Sequence, residues 1–304
     1  MKEISKMLLE LLGTYHVYVF EYDQFYGFHS VNGTADERAR VQIGDKFGLI
    51  SGSGSTTVPV EYEDVGLTGD ELIPVKQGGE YYYMDSNGYR QIVTKKPATA
   101  IGTFGSELAP VQVDGKYGYI DTDMKEGHFD YEFAGSFENG VAAVKKGGKW
   151  GLIDTTFAER VPCQFDEILV DGYGFGTTYG VFFAKSGGSY ALYDLSGNQL
   201  AGGFSEARMF ASKEPAAVKK DGKWCFVSRE GEIVLTPDQN YEDANSFSAG
   251  YAAVKKGGKW GCIETQGRMV IQPEFDVLLP FSRNGYAYAE QEDQQLFVAV
   301  SLLE

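Results

Sequence analysis

The chain has 304 residues, in which 43 acidic side chains outnumber 27 basic ones to give a net charge of −16. A hydrophobic content of 43% excludes a disordered acidic chain, and the 39 glycines lack the period of collagen. The negative charge repels a phosphate backbone, so we expect no nucleic-acid partner. No apolar run approaches the ~18 residues of a membrane-spanning helix, so we expect no membrane insertion.

The N-terminal segment predicts a short amphipathic helix over residues 1–13. Its apolar residues recur at helical spacing and end at a glycine. They are Ile4, Met7, Leu8, Leu11 and Leu12, followed by Gly13. Because Glu3 and Glu10 interrupt the apolar run, the segment does not fit a signal peptide, and we expect a cytoplasmic protein. Residues 14–304 are predicted to form a single β-repeat domain.

A self-similar segment recurs along the rest of the chain. Residues 142–151 and 252–261 both read AAVKKGGKWG, and residues 216–225 read AAVKKDGKWC. Each copy carries an aromatic anchor, and successive anchors lie 33 to 40 residues apart. The anchors are Phe47, Tyr81, Tyr117, Trp150, Tyr190, Trp224 and Trp260. We count about eight units, with a truncated extra unit near Tyr26.

Each unit predicts three to four antiparallel strands. The segment GVAAVKK (140–146) is typical of a strand, GG (147–148) of a tight turn, and KWGLID (149–154) of a returning strand. A third strand and a short acidic–aromatic segment close the unit. Both faces of these strands are apolar, so each small sheet should pack against a neighbour on either side. We expect the anchors in the core, with the following glycine admitting a neighbouring sheet.

These motifs resemble the WG repeat family over roughly residues 39–300. The resemblance rests on GKWGLID at 148–154 and GKWGCIE at 258–264, with Tyr, Phe or Cys225 replacing motif residues in other copies. It implies a bacterial-type β-repeat protein with no assigned catalytic residues.

Two all-β architectures accommodate such sheets in series. A propeller closes seven or eight sheets into a ring, whereas an open solenoid or hairpin stack leaves two ends that need caps. Unit length and strand count favour the ring. The N-terminal helix and the truncated unit would suit the cap of an open array.

The lysines that recur at the hairpin turns are the first candidate binding residues. They are Lys145, Lys146, Lys149, Lys219, Lys220, Lys223, Lys255, Lys256 and Lys259. Because they occupy one turn of a repeated unit, they should line one rim, with the acidic segments forming a separate band. The alternative is that these charges only keep the turns soluble and discourage edge pairing.

The insertion DGYGFGTTYG (171–180) in the longest repeat is the second candidate. Its Tyr173, Phe175 and Tyr179 could form an exposed recognition loop, since function in repeat folds often lies on insertions. The alternative is a Gly-rich loop packed against its own unit.

No established catalytic or metal-binding motif is found. The three histidines are scattered, the acidic run at Asp121 does not fit a calcium loop, and the cysteines Cys163, Cys225 and Cys262 predict buried thiols. We therefore expect no cofactor and no metal. The sequence favours a monomeric, non-catalytic scaffold for an unknown protein or peptide. The alternative is a ligand-binding or hydrolytic propeller, which a deep central pocket with convergent carboxylates would favour over a flat charged rim.

Overall fold

A computed structural model describes residues 15–19, 22–30, 37–85, 88–91, 94, 96–292 and 294–300. Within these ranges the chain forms 32 β-strands and no helix. The predicted N-terminal helix over 1–13 lies outside the described residues.

The strands form eight four-stranded antiparallel sheets, which we call blades I to VIII. Within each blade, the strands are given in order from the one nearest the centre of the ring to the one at its periphery.

Blade I comprises β2 (Gln24–Ser30), β3 (Glu37–Ile43), β4 (Lys46–Ser51) and β5 (Thr56–Tyr62). Blade II comprises β6 (Asp64–Val65), β7 (Leu72–Gln77), β8 (Glu80–Asp85) and β9 (Arg90–Gln91). Blade III comprises β10 (Ala100–Ile101), β11 (Leu108–Val113), β12 (Lys116–Asp121) and β13 (Glu126–Tyr131). Blade IV comprises β14 (Phe133–Ala134), β15 (Val141–Lys146), β16 (Lys149–Asp154) and β17 (Glu159–Phe165).

Blade V comprises β18 (Glu167–Ile168), β19 (Val181–Ser186), β20 (Ser189–Asp194) and β21 (Gln199–Phe204). Blade VI comprises β22 (Glu206–Ala207), β23 (Ala216–Lys220), β24 (Lys223–Val227) and β25 (Ile233–Leu235). Blade VII comprises β26 (Asp243–Ala244), β27 (Tyr251–Lys256), β28 (Lys259–Glu264) and β29 (Met269–Phe275). Blade VIII comprises β30 (Val277–Leu278), β31 (Tyr286–Gln291), β32 (Gln294–Val300) and β1 (Tyr15–Val19).

The two ends of the described chain meet in blade VIII. Strand β1 pairs antiparallel with β32, from Tyr15 opposite Val300 to Val19 opposite Leu296. Pairing of the first strand with the last closes the ring, which removes the unprotected sheet faces of an open array. The eight-bladed propeller is therefore confirmed over the open stack. The prediction of a truncated extra unit near Tyr26 is wrong, because that segment forms β2, the strand of blade I nearest the centre of the ring.

The hairpin between the second and third strands confirms the predicted tight turn. In blade IV, Gly147 and Gly148 have φ of +60° and +75°, and Lys146 pairs with Lys149 across the turn. Positive φ at both central residues is the geometry of a type I′ turn, which suits the twist of antiparallel strands. We call the end of the propeller that carries these turns the hairpin face.

The glycine after the aromatic anchor admits the peripheral strand of its own blade, not a neighbouring sheet as predicted. A Cβ added to Gly151 would lie 2.5 Å from the Val161 carbonyl oxygen of β17, where the β16–β17 register shifts. Blade VI has Cys225 at this position, and its peripheral strand β25 shrinks to three residues. Blade V, with Ala191 at this position, keeps a six-residue fourth strand, so the glycine allows a close approach in blade IV without setting the strand length in every blade.

The core lies between the blades, as the two apolar faces predict. Leu152 and Ile153 alternate faces in β16 and are 0% and 1% exposed. Trp150, in contrast, is half-buried: its ring packs 5.0 Å from Phe133, and Lys145 Nζ lies 6.0 Å from the ring centroid. The prediction that the anchors are core residues is therefore wrong for Trp150, which shields the edge of the core beneath a lysine.

The first strand of each blade leads into a loop at the end opposite the hairpin turns, and we call these the inner loops. In blade IV the inner loop covers residues 135–140, whereas in blade V it covers residues 169–180. The first strands converge at the centre of the ring, so the six extra residues of blade V enter the central channel.

Candidate functional site

The plug segment, residues 171–179, crosses the propeller axis from blade V to blade I. The hydroxyl of Tyr173 donates to the carbonyl of Gly27 at 2.8 Å and accepts from the backbone N–H of Arg40 at 2.9 Å. Gly27 has φ of +83° and lies where the β2–β3 register shifts, so these two polar groups fall outside the regular ladder. Tyr173 therefore satisfies backbone groups that the irregularity in blade I leaves free.

Asp171 organises the plug segment with one oxygen and reaches blade I with the other. Its Oδ1 accepts from the backbone N–H groups of Tyr173 and Phe175, both at 2.9 Å, as in an Asx turn. Its Oδ2 lies 2.7 Å from Nδ1 of His29. The Phe175 ring stacks on the imidazole at a centroid distance of 4.3 Å. One carboxylate thus ties the loop conformation to the position of His29.

The three aromatic residues predicted in this insertion do not form an exposed loop. Phe175 is 0% exposed, and Tyr173 and Tyr179 are half-buried. Nor does the insertion pack only against its own unit, because Tyr173 and Phe175 contact blade I and Tyr179 bonds Ala211 of blade VI. Exposure of this loop is therefore a wrong prediction, since the extra residues fill the channel. Whether the residues contact a partner stays a prediction.

An axial cavity of about 200 Å³ lies on the inner-loop side of the plug segment. Residues of blades I, IV, V, VI and VIII line it, so no single repeat contains the site. The polar lining comprises His29, Glu37, Glu138, Asp171 and Thr178. The aromatic and apolar lining includes Phe28, Tyr179, Met209, Phe210, Pro280 and Phe281.

Glu138 is the unusual group of the axial cavity. It is 1% exposed, and its Oε2 atom has no hydrogen-bond partner among the described residues. Burial raises the pKa of this carboxyl from its ordinary value to about 7, and the Asp171 charge adds to the effect that His29 opposes. The carboxyl can therefore gain or lose a proton near neutral pH.

The groups facing Glu138 are themselves charged or titratable. Burial lowers the pKa of His29, but the charge and hydrogen bond of Asp171 and the charges of Glu138 and Glu37 raise it above its ordinary value overall. Nε2 of His29 is buried without a partner among the described residues. Burial also raises the pKa of Glu37. Arg283 opposes this rise, because its backbone N–H donates to Oε2 of Glu37 at 2.8 Å and its side chain is positively charged.

Sequence reasoning missed Glu138, although the repeat carries a signal for it. The same loop position makes an isolated bridge in five blades, and four of them have a small residue there: Gly69, Gly105, Thr178 and Ser248. Only blade IV places an acid at this position of the five. His29 and Glu37 flank a segment that does not follow the repeat, so no comparison between units identifies them.

A second cavity of about 150 Å³ lies on the hairpin side of the plug segment. Arg40, Asp64 and Tyr173 line it. The guanidinium of Arg40 bonds Asp64 at 3.0 Å and lies 4.2 Å from the centroid of the Tyr26 ring. These contacts hold the arginine in place, so the residues around this cavity join blade I to blade II.

The predicted lysines lie on the hairpin face, where the structure pairs several of them with acids. Lys149 bonds Asp166 at 2.7 Å, Lys259 bonds Asp276 at 2.5 Å and Lys219 bonds Glu206 at 2.8 Å, and Lys146 bonds Asp130. Lys145 and Lys255 cover the rings of Trp150 and Trp260. Lys220, Lys223 and Lys256 are exposed at the turns, and Lys256 bonds Gln239.

The acidic segments share this face instead of forming a separate band. In these segments the acid directly after the fourth strand accepts from an N–H group of the next hairpin turn, as Glu132 does from Gly148 at 3.0 Å. Glu242 caps Gly257 and Gly258 in the same way. The separate acidic rim is therefore a wrong prediction, because chain direction returns the fourth strand to the hairpin end.

The remaining candidates have structural roles. Asp121 accepts from the backbone N–H groups of Asp123 and Lys125, which makes it a turn cap. Among the described residues, no group of His, Cys, Asp and Glu has a metal-binding arrangement. Cys225 and Cys262 are buried thiols as predicted, whereas Cys163 is half-buried. Burial raises the pKa of the Cys262 thiol, which leaves it unreactive.

Comparison with known families agrees with the repeat seen in the blades. The sequence model of the WG containing repeat matches residues 47–81, 117–150, 150–190, 226–260 and 260–294. These matches cover more than half of the chain. The chain belongs to the WG containing repeat family. Three of the five matches run from one aromatic anchor to the next, so the WG repeat unit joins the outer half of one blade to the inner half of the following blade. A search of curated proteins gives no significant match.

Solved propellers share the architecture at very low sequence identity. Kluyveromyces lactis Hsv2p is 7% identical, with a TM-score of 0.51 over 92% of this chain and 98% of the other. The same organism's Hsv2 with a complete loop 6CD is 8% identical, with a TM-score of 0.50 over 91% and 97%. At such identities the likeness shows the propeller fold alone. Within the described ranges, no helix has the length and apolarity needed to cross a bilayer.

Proposed function

We propose that this WG-repeat propeller is a non-catalytic scaffold that binds a protein or peptide segment at its inner-loop face, over the axial cavity. The observation that carries the proposal is the Glu138 carboxylate at a cavity where loops of five blades converge. It is 1% exposed, and one of its oxygens has no partner in the part of the chain that the structure describes. An unpaired buried polar atom costs stability, on the order of 1–3 kcal/mol. A ligand that supplies the missing hydrogen bond would offset that cost.

The acidic balance of the chain also bears on the partner. A net charge of −16 disfavours a nucleic acid, so a protein or peptide is proposed, together with a monomeric state. The cytoplasmic location stays a prediction.

Selection from a random peptide library against the full chain tests the proposal. Lys213 and Asn284 are exposed on the inner loops of blades VI and VIII. Other residues of these two loops line the cavity. Selected peptides should bind the Lys213→Trp/Asn284→Trp variant at least tenfold more weakly than the wild type. A matched Lys220→Trp/Lys223→Trp variant, bulky on the hairpin face, should bind them normally. Failure to enrich any peptide, or full binding to the inner-loop variant, would contradict the proposal.

The lysine surface remains the competing location for the same function. Charge reversal of Lys219, Lys220 and Lys223 to Glu tests it with the selected peptides. Loss of binding in this variant alone would move the partner to the hairpin face. Unchanged binding would exclude the lysine surface as the binding site.

A hydrolytic propeller is the second candidate, because converging carboxylates favour a site built from several repeats. Its specific support is the pKa of about 7 at Glu138, which suits general acid–base catalysis at neutral pH. Chromogenic esters, glycosides and phosphate monoesters should all remain unhydrolysed by the wild type if the scaffold proposal holds. Turnover that Glu138→Gln abolishes would favour the enzyme.

A further inference from the structure

We propose that the axial cavity binds a cationic alkyl group, an alkylammonium or alkylguanidinium such as a lysine or arginine side chain. The inference rests on the proposed function and names the chemistry of the ligand at the same site. It follows from the charges, the unpartnered atoms and the apolar walls of the cavity.

The charge of the cavity favours a cation. Glu37, Glu138 and Asp171 contribute three carboxylates, and Arg283 and His29 are the basic groups that act on them. Asp171 is bonded to His29 at 2.7 Å, and Arg283 acts on Glu37 through its backbone N–H and its charge. Among the described residues Glu138 is the carboxylate without such a bonded counterpart, so an ionised Glu138 leaves a negative charge that an entering cation would neutralise.

The geometry at Glu138 requires a hydrogen-bond donor. Its Oε2 is buried and has no partner within the described ranges, and an ionised carboxylate offers only acceptor sites. An ammonium or guanidinium supplies both the donor and the charge, and charge-assisted hydrogen bonds are the stronger kind. An anion would meet three carboxylates here, and a metal ion would lack a suitable set of ligands among the described residues.

The walls of the cavity suit the alkyl part of such a ligand. Phe28, Tyr179, Phe210 and Phe281 present aromatic rings, and Met209 adds a flexible apolar side chain. Aromatic faces attract a desolvated cation, and methylene groups pack against them with little cost. A volume of about 200 Å³ accommodates one side chain rather than a folded segment.

Binding of this cation should be coupled to proton release. The carboxyl of Glu138 has a pKa of about 7 when the cavity lacks a cation, so a cation must displace its proton at lower pH. His29, whose pKa is raised, acts in the same direction, because its protonated form repels the ligand. The pKa of Glu37 is also raised, so its carboxyl gains negative charge as pH rises, and Arg283 is the other charged group that acts on it. Affinity should therefore increase by about tenfold from pH 6 to pH 8.

Calorimetric titration of the full chain with n-butylammonium tests the inference, with n-butanol as the neutral isostere. We expect saturable one-to-one binding of n-butylammonium, at least tenfold weaker n-butanol binding, and the rise with pH. Glu138→Gln should weaken n-butylammonium binding at least tenfold. Glu132→Gln, which removes an exposed carboxylate from the hairpin face, should leave it unchanged. The pH series on the wild type keeps the test valid if Glu138→Gln fails to fold.

A peptide arm separates the two sources of the cation. The capped peptide Gly-Gly-Lys-Gly-Gly and its norleucine counterpart are titrated in parallel. Binding of the lysine peptide supports a protein ligand, and binding of n-butylammonium alone supports a free alkylamine with the same chemistry. Equal binding of n-butanol, no binding of n-butylammonium, or equal binding to Glu138→Gln overturns the inference. Library peptides that bind the inner-loop face without a basic residue would overturn it while leaving the proposed function intact.

Discussion

Nδ1 of His29 in blade I lies 2.7 Å from Oδ2 of Asp171 in blade V, so a hydrogen-bonded pair spans the propeller axis. Strand pairing closes the ring at its periphery, whereas this pair and Tyr173 join opposite sides at the centre. The same aspartate fixes the plug segment, and the same histidine lines the axial cavity. The centre of the propeller is thus both a structural joint and the wall of the candidate site.

Tyr173→Phe should destabilise the protein by about 1–3 kcal/mol. The substitution removes one hydroxyl and leaves the Gly27 carbonyl and the Arg40 N–H without their partner. Urea unfolding measures the change. Tyr89→Phe is the control, since Tyr89 is 70% exposed, and it should alter stability by less than about 0.5 kcal/mol. An unchanged midpoint for Tyr173→Phe would mean that the plug does not brace blade I.

Gly151→Val should destabilise blade IV by about 1–3 kcal/mol, or more if the peripheral strand detaches. A Cβ at this position would lie 2.5 Å from the Val161 carbonyl oxygen and 2.8 Å from the Cys163 nitrogen, both backbone atoms that cannot rotate away. Gly127→Val is the matched control, because no atom of the described residues lies within 4 Å of its added Cβ. Thermal unfolding that shows equal losses for both variants would contradict the role of the WG glycine.

Trp150→Ala should cost less than the roughly 3–5 kcal/mol of a fully buried aromatic, because the ring is half-buried beneath Lys145. Phe204→Ala provides the comparison, since Phe204 is 1% exposed and should show the full cost. Denaturant unfolding of both variants measures the difference. A loss of unfolding free energy for Trp150→Ala as large as that for Phe204→Ala would show that Trp150 is a core residue.

Stability should fall as pH rises from about 5 to 8. Glu138 has its pKa raised from 4.5 to about 7 in the folded chain, so the folded state binds its proton more tightly than the unfolded state. Its contribution is complete below pH 4.5 and is lost as pH rises through 7, by an amount on the order of a few kcal/mol. The raised pKa of His29 acts in the same direction.

Glu138→Gln should flatten this profile when melting temperatures are followed across the same pH range. Glu132→Gln should leave the slope of the wild type. Parallel profiles for the wild type and Glu138→Gln would show that Glu138 does not titrate near neutral pH.

The repeat makes most of the fold predictable, because each unit carries its own turn, strand and packing signals. The GG turn at 147–148 and the buried pair Leu152 and Ile153 follow from period and turn chemistry alone. The position of the acidic segments does not follow from the repeat, since it depends on which end of the blade the fourth strand reaches. Glu242 therefore caps the hairpin turn at Gly257 and Gly258, whereas the prediction put the acidic segments in a separate band.

The candidate site was largely beyond sequence reasoning because it forms only when distant blades meet. His29, Glu138 and Asp171 come from three blades, and each looks ordinary in its own unit. The length of the insertion did predict that blade V departs from the repeat. Its direction, inward to the axis instead of outward to solvent, depends on the space that ring closure leaves.

Displacement of a bound peptide by n-butylammonium tests most directly whether partners enter the axial cavity. A fluorescent peptide selected on the wild-type chain is followed by anisotropy at constant ionic strength while n-butylammonium or n-butanol is added. We expect complete displacement by n-butylammonium, and an at least tenfold higher concentration of n-butanol for half-displacement. A peptide that stays bound at saturating n-butylammonium would contradict it.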